Sequence, residues 1–161
     1  MVETAVVNAS PLICLSRAGL ADLLRQSAQT IVVPAAVARE ILARGPRDLT
    51  AATLASSTWL KQAEDPAVPP GILAWDLGDG ESSVLAWALA HSGARAVIDD
   101  LEARRCAESL GIPLRGTVGL ILRARRAGLI DSARDALERL RRGGMYLSDR
   151  ICAEVLREVG E

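Results

Sequence analysis

Thr4-Ala-Val-Val-Asn-Ala-Ser-Pro11 is a short apolar run that stops at a turn or cap signal. A run of this length, bounded by such residues, reads as a buried strand. Working outward, the same alternation recurs. Residues 12–24 are helical in composition and interrupted near Gly19, and residues 30–33 form a second β-branched run closed by Pro34. Proline there suits the first turn of a helix. Helices are predicted over 35–43, stopping before Gly45-Pro46, and over 48–56, with a minor strand over 59–61. Residues 66–71, with three prolines, are linker-like but too short to separate domains. Gly78-Asp-Gly80 leads into a helix over 81–91. Residues 95–98 read as a strand closed by Asp99-Asp100, and a helix follows to Leu110, with Ala103, Cys106, Ala107 and Leu110 on one stripe. Residues 112–114 read as a short strand. Helices over 118–127, 132–142 and 149–159 close the chain, the last with Ser148 as N-cap. Short apolar strands alternating with helices predict an α/β fold: a parallel sheet with right-handed crossovers, covered on both faces. One domain is expected over residues 1–161.

Composition narrows the chemistry. Of 161 residues, 50% are apolar and 24% charged, the balance of an ordinary globular protein. The net charge of −1 excludes a uniformly basic coat for nucleic acid, though not a local patch. No apolar run reaches the ~18 residues of a membrane span, and no basic, cleavable signal region opens the chain, so a cytoplasmic protein away from membranes is expected. Cys14, Cys106 and Cys152 are far apart and odd in number, which fits neither a zinc-type pair nor a disulfide framework. They are expected in the core. With His91 the single histidine, a histidine-rich metal site and a zinc hydrolase are excluded. Aromatic residues at 2% argue against a surface that stacks bases. Any nucleic acid would be held by its phosphates.

In open α/β sheets, sites form beyond the carboxyl ends of the strands. Asn8 with Ser10, and Asp99 with Asp100, sit at such ends. Glu81 opens a helix whose predicted inward face is Val84, Leu85, Ala88 and Leu89, so it points from the tip of that face. Glu40 flanks Val37 and Ile41 at the edge of another apolar stripe. Carboxylates gathered at one rim repel one another unless protons or cations neutralise them, and Mg²⁺ or Mn²⁺ matches such oxygen ligands. Taken singly, each residue has a structural role that suffices. Asp99 or Asp100 can cap a helix, Glu81 can complement a helix dipole, Glu40 can pair with Arg44 at i+4, and Asn8 and Ser10 can form a turn and a cap. Their joint placement is what points to a site.

Two enzyme classes fall away. The first strand runs into Asn-Ala-Ser-Pro with no glycine-rich loop for a pyrophosphate, and Gly78-Asp-Gly80 is too short to serve as one. A Gly-x-Ser-x-Gly elbow is absent from the sequence. Charge is uneven along the chain: residues 64–81 hold five acids and no base, whereas residues 115–142 hold eight arginines. An acidic pocket beside a basic flank suits metal-dependent attack on a polyanion, and a solvated helical face is the simpler reading of any one arginine.

Several motifs follow one another in a telling order: Val6-Val-Asn-Ala-Ser-Pro-Leu-Ile13, Pro34 with Val37-Ala-Arg-Glu-Ile41, Gly78-Asp-Gly-Glu-Ser82, Ile98-Asp-Asp-Leu-Glu-Ala-Arg104, Gly111-Ile-Pro113 with Gly116-Thr-Val-Gly-Leu120, and Arg125-Arg-Ala-Gly-Leu-Ile130. Together they resemble the PIN-domain superfamily, in a prokaryotic branch of small PIN-like proteins, over nearly the whole chain. The resemblance implies a three-layer α/β/α fold and a ribonuclease that uses one or two Mg²⁺ or Mn²⁺ ions to activate water and clamp the scissile phosphate, leaving a 5′-phosphate and a 3′-hydroxyl. Many such proteins are VapC-like toxins of type II toxin–antitoxin pairs, so the implied partners are RNA, a cognate antitoxin and a second copy of the chain. The family's ligand positions fall on Asn8, Glu40, Glu81 and Asp100, with Asp99 as a ligand or an orienting neighbour, and Ser10 falls on the small hydroxyl residue after the first acid. Arg123 and Arg126 share a helical face and are the candidate phosphate contacts. The first position is ordinarily aspartate in the superfamily, and an amide offers a carbonyl oxygen but no charge. Two other readings use the same residues: a catalytically weak PIN-like module that binds RNA or protein, and a metal-dependent phosphatase, which wants a nucleophilic aspartate where Asn8 stands.

Overall fold

Ala5, Val6 and Val7 have no exposed surface, as a strand covered on both faces requires. They belong to β1 (Val2–Val7) in a computed structural model that describes residues 2–161. β2 (Ala28–Pro34), β3 (Leu60–Ala63), β4 (Arg95–Val97) and β5 (Leu114–Arg115) complete one sheet of order β3-β2-β1-β4-β5. Every neighbouring pair is parallel. The helices are α1 (Ala9–Arg17), α2 (Ala21–Arg25), α3 (Ala35–Leu42), α4 (Leu49–Ser56), α5 (Pro70–Leu73), α6 (Asp79–Ala90), α7 (Leu101–Ser109), α8 (Thr117–Arg126), α9 (Ala133–Arg142) and α10 (Asp149–Val159). They flank the sheet in a three-layer α/β/α arrangement, and none is long and apolar enough among the described residues to cross a membrane.

The strand order places the site. From β1 the chain moves outward through β2 and β3, then returns past β1 to β4 and β5. β1 and β4 are therefore neighbours whose following connections diverge, and the general rule for open α/β sheets puts the ligand crevice between their carboxyl ends. The two ends are bonded directly, since the Asn8 amide donates to the Val97 carbonyl at 3.0 Å.

Several boundaries move from their sequence-based positions for local reasons. The first helix starts at Ala9, because Pro11 in its first turn lacks an N–H that has no intrahelical partner there anyway. It breaks at Gly19, which takes φ +67, a backbone conformation that glycine adopts without a Cβ penalty. β5 is displaced to Leu114–Arg115, and the Pro113 carbonyl still accepts from the Ala96 amide at 2.8 Å. The proline-containing segment ends in the single turn of α5. Val84, Leu85 and Ala88 are buried as expected, but Leu89 is 44% exposed and lies off the inward face of α6. Cys106 is buried in the core, while Cys14 and Cys152 are half-buried, and all three are free thiols. His91 ends α6, where its Nδ1 lies 2.7 Å from the Trp87 carbonyl and its ring stacks on Trp87.

The start of α9 is capped twice. Ser132 Oγ accepts the Asp135 amide, and the Glu161 carboxylate accepts the amides of Ala133 and Arg134 as well as Arg125 Nε at 2.8 Å. These donors, led by the Ala133 amide, hold the Glu161 carboxyl down at about 2. A depressed acid stabilises the fold above its ordinary value of 4.5, and that contribution is lost as pH falls through 4.5 toward 2. Glu161→Gln should therefore lower the thermal midpoint at pH 7, with the gap to wild type closing near pH 2. A gap that is independent of pH would show that the carboxylate charge plays no part.

Candidate active site

Asn8 stands at the N-cap position of α1 yet makes no capping bond. It is 3% exposed, and its Nδ2 instead donates to Glu81 Oε1 at 3.1 Å. That leaves Asn8 Oδ1 buried without a hydrogen-bond partner. A buried acceptor left unpaired destabilises a fold by about 1–3 kcal/mol, so its persistence points to a donor or cation that completes it.

The surroundings supply the rest of the cradle. A Cβ on Gly80 would lie 3.0 Å from Asn8 Oδ1 and 3.1 Å from Glu40 Oε2, and a Cβ on Gly78 would lie 2.5 Å from Glu81 Oε2. The oxygens of three residues thus converge over the glycines that open α6. Glu40 comes from α3, whose Val37 and Ile41 are buried and fix the register of that helix. Glu40, Gly78, Gly80, Glu81 and Arg39 line an open cleft of about 490 Å³. Burial, and then the neighbouring Glu81 charge, push the Glu40 carboxyl above its ordinary value of 4.5. Arg44 opposes this only weakly, because it donates to Asp48 at 2.9 Å instead of closing the expected i+4 pair with Glu40.

Asp65 holds together α3 and α6, the helices that carry Glu40 and Glu81. Its carboxylate accepts from the Ala36 amide at 2.9 Å, Ser83 Oγ at 2.5 Å and Arg39 Nη2 at 3.1 Å. It thereby caps α3, whose N-cap residue Pro34 makes no side-chain cap bond, and ties it to α6. Burial opposes ionisation of Asp65, but these donors keep its carboxyl below the usual 3.8. The sequence reading missed this residue, since nothing near Asp65 in the chain belongs to the site.

The neighbouring aspartates divide their roles. Asp100 Oδ1 accepts the Ala103 amide at 2.8 Å, so Asp100 serves as the N-cap of α7. Asp99 is half-buried, and its carboxylate receives both the amide and the hydroxyl of Thr117, at 2.7 and 2.6 Å. Thr117, fully buried at the start of α8, is a second residue that sequence reasoning overlooked. Ser10 is exposed in the first turn of α1 and lies against the Cys14 thiol, which burial and Asp99 push up. Of the two arginines expected to hold phosphate, Arg126 donates to Glu158 at 2.7 Å, whereas Arg123 forms no ion pair among the described residues.

No three Asp, Glu, His or Cys side chains form a ready-made metal-binding group among the described residues. The donor set that does converge is one neutral amide oxygen and two carboxylates, all hard oxygen ligands. It suits Mg²⁺ or Mn²⁺, and the orphaned Asn8 Oδ1 together with the space kept free over Gly80 fits an ion held by Asn8, Glu40 and Glu81. The raised Glu40 carboxyl gives a direct check. Without metal, the ionised form of Glu40 is disfavoured in the folded state, so its stabilising contribution is complete below pH 4.5 and is lost as pH rises. Metal-free Glu40→Gln should melt higher than wild type at pH 7, with the difference vanishing below pH 4.5. A lower midpoint at pH 7 would place Glu40 in a stabilising contact instead.

A comparison with curated proteins finds no match. The family model described as a PIN domain matches residues 4–161. A match over that span, with the parallel sheet and the crevice at its switch point, means that the chain belongs to the PIN-domain family, a family of nuclease-like fold.

Proposed function

We propose that the protein is a divalent-metal-dependent ribonuclease that hydrolyses RNA phosphodiester bonds at the crevice between β1 and β4. The observation that carries this reading is the unpaired, buried Asn8 Oδ1 converging with Glu40 over Gly80, beside Glu81. A bound Mg²⁺ or Mn²⁺ supplies the positive charge that polarises a phosphodiester and its attacking water. The chain's own residues do the rest. Asn8 Nδ2 fixes the orientation of the Glu81 carboxylate, and Asn8 Oδ1 contributes a ligand without adding a third negative charge. Glu40 Oε2, which faces Asn8 Oδ1 over Gly80, would be a charged ligand to the same ion. Asp99, held by Thr117, adds negative charge at the adjoining strand end. Products would carry a 5′-phosphate and a 3′-hydroxyl.

With this reading goes the role of a VapC-like toxin in a type II pair, working in the cytoplasm as a homodimer and neutralised by a cognate antitoxin. A short upstream open reading frame encoding a DNA-binding protein is the genomic arrangement this role expects. The second reading, a PIN-like module that binds RNA or protein without cutting, draws on Asn8, which brings no charge to the ligand set. Titrating Mn²⁺ into the protein while following RNA cleavage separates the two. Cleavage that saturates with Mn²⁺ and falls on the order of 100-fold in Glu81→Gln supports the enzyme. RNA binding with no cleavage at any Mn²⁺ concentration supports the module.

A further inference from the structure

Arg115, at the end of edge strand β5, and Arg123, on α8, line an open cleft of about 630 Å³ together with Gly119, Leu122, Arg126 and Ala127. Arg95, at the start of β4, is close enough to both for its charge to act on Arg115 and to feel Arg123. All three side chains are half-buried, and none makes an ion pair or a side-chain hydrogen bond among the described residues. The combination of half-burial and no partner distinguishes them from the other arginines of the basic stretch, of which Arg134 and Arg142 are exposed. Arg125 is engaged by Glu161, Arg126 by Glu158, Arg139 by the Ala18 carbonyl, and Arg141 by Leu147 and Asp149. Three half-buried like charges without a counter-charge repel one another, and such a cluster is relieved by an anion.

Gly119 shows that the cluster is built. It lies inside α8, where glycine weakens a helix relative to alanine. A Cβ there would come within 3.0 Å of Arg115 Cγ. The missing side chain lets the Arg115 stem lie across the helix and keeps its guanidinium in the cleft. Arg115 and Gly119 also line a second cleft, of about 570 Å³, which runs past Arg104 and Gly116 to Asp99. The two clefts share Arg115 and Gly119, so the arginine cluster adjoins the cleft that reaches Asp99.

We infer that Arg95, Arg115 and Arg123 form a phosphate subsite that holds the backbone of single-stranded RNA beside the cleavage crevice, on the path that leads to Asp99. The nature of the anion rests on the ribonuclease reading, while the existence of an anion site does not. RNA is favoured over an acidic peptide because its phosphates repeat along one strand, so one phosphate can sit among the arginines while another reaches the metal crevice. Burial, then repulsion from Arg95 and Arg123, lowers the proton affinity of Arg115, and burial and Arg123 act on Arg95 in the same way.

The test is fluorescence anisotropy of a labelled oligouridylate with the full chain in EDTA, where cleavage cannot occur, over a range of salt concentrations. Arg115→Gln and Arg123→Gln should each weaken binding about tenfold and reduce the log–log salt slope by about 0.7, the value for one phosphate contact on a single strand. Arg25→Gln, on α2, serves as the comparison and should do neither. Gly119→Ala should reproduce the Arg115 loss while raising the thermal midpoint, which separates displacement of Arg115 from unfolding. Inorganic phosphate should raise the midpoint of the wild type more than that of the Arg115 and Arg123 variants. Arginine-dependent binding with no Mn²⁺-dependent cleavage would uphold this subsite and remove the nuclease reading. Unchanged affinity and salt slope in the variants would overturn the subsite, even if cleavage persists. Oligoglutamate competing as strongly as oligouridylate would overturn the assignment to phosphate in favour of an acidic peptide.

Discussion

Gly80→Ala is expected to lower Mn²⁺-dependent RNA cleavage by about 100-fold in a protein that remains folded, because misplacing catalytic groups by ~1 Å can have that effect. Gly80 is a residue of α6, and alanine favours a helix over glycine by roughly 0.5–1 kcal/mol. Helix propensity therefore predicts a neutral or stabilising change. The site predicts damage, since the new Cβ meets Asn8 Oδ1 at 3.0 Å, Glu40 Oε2 at 3.1 Å and Val37 Cγ2 at 3.6 Å. The two oxygens must separate, and the ion they would share loses its seat. The thermal midpoint in EDTA should stay level or rise, while the midpoint increase produced by Mn²⁺ should shrink. Full cleavage by the variant would show that these oxygens do not act together.

Asn8→Asp should have the second large effect, and its sign depends on metal. In the wild type, the buried Asn8 donates through Nδ2 to Oε1 of the half-buried Glu81 at 3.1 Å. Aspartate turns that hydrogen bond into two facing carboxylates, with Glu40 close by. Loss of the bond and burial of an unpaired charge should destabilise the metal-free protein by about 3 kcal/mol at neutral pH. The new pair would share a proton, so its folded-state proton affinity rises above that of the unfolded chain. Stability is then retained in acid and lost as pH climbs through the raised value. Mn²⁺ should reverse the penalty and bind more tightly than in wild type, because a full charge replaces an amide oxygen. Denaturation curves at pH 5 and pH 8, with and without Mn²⁺, provide the measurement. A variant as stable as wild type at pH 8 in EDTA would take Asn8 out of contact with the acids.

Much of the candidate site is legible as a pattern in the sequence. Asn8 after the first strand, Asp99 after the fourth, Glu81 at a helix start and Glu40 on a helix edge were all marked by their position relative to apolar periodicity. What the pattern could not resolve was which structural role each residue also performs. Asp100 and Asp99 are adjacent in sequence and chemically identical, yet one caps α7 and the other receives Thr117. Arg44 had the correct i+4 spacing for Glu40 and pairs with Asp48. Local spacing proposes partners, and competition between partners selects among them. Arg123 and Arg126 share a helical face, but only Arg126 meets an acid, Glu158 on α10.

The amino-acid sequence by itself determined the α/β class and most of the strand and helix order, because helices covered on one face show a period of 3.6 and strands covered on both faces show short continuous apolar runs. It also carried the candidate ligands, since strand ends are legible as the places where apolar runs stop. The tertiary structure decided what no local pattern encodes. Inserting β4 beside β1 rather than beside β3 brings the ends of two distant strands together. Packing α3 against α6 lowers Glu40 onto Gly80, and Asp65 fastens the two helices from a loop that bears no site residue. Gly78 and Gly80 read in the chain as the lead into a helix, and only the folded neighbours show the space that they and Gly119 keep open. Contacts between residues far apart in sequence depend on which surfaces bury each other, and that is settled by the whole core at once.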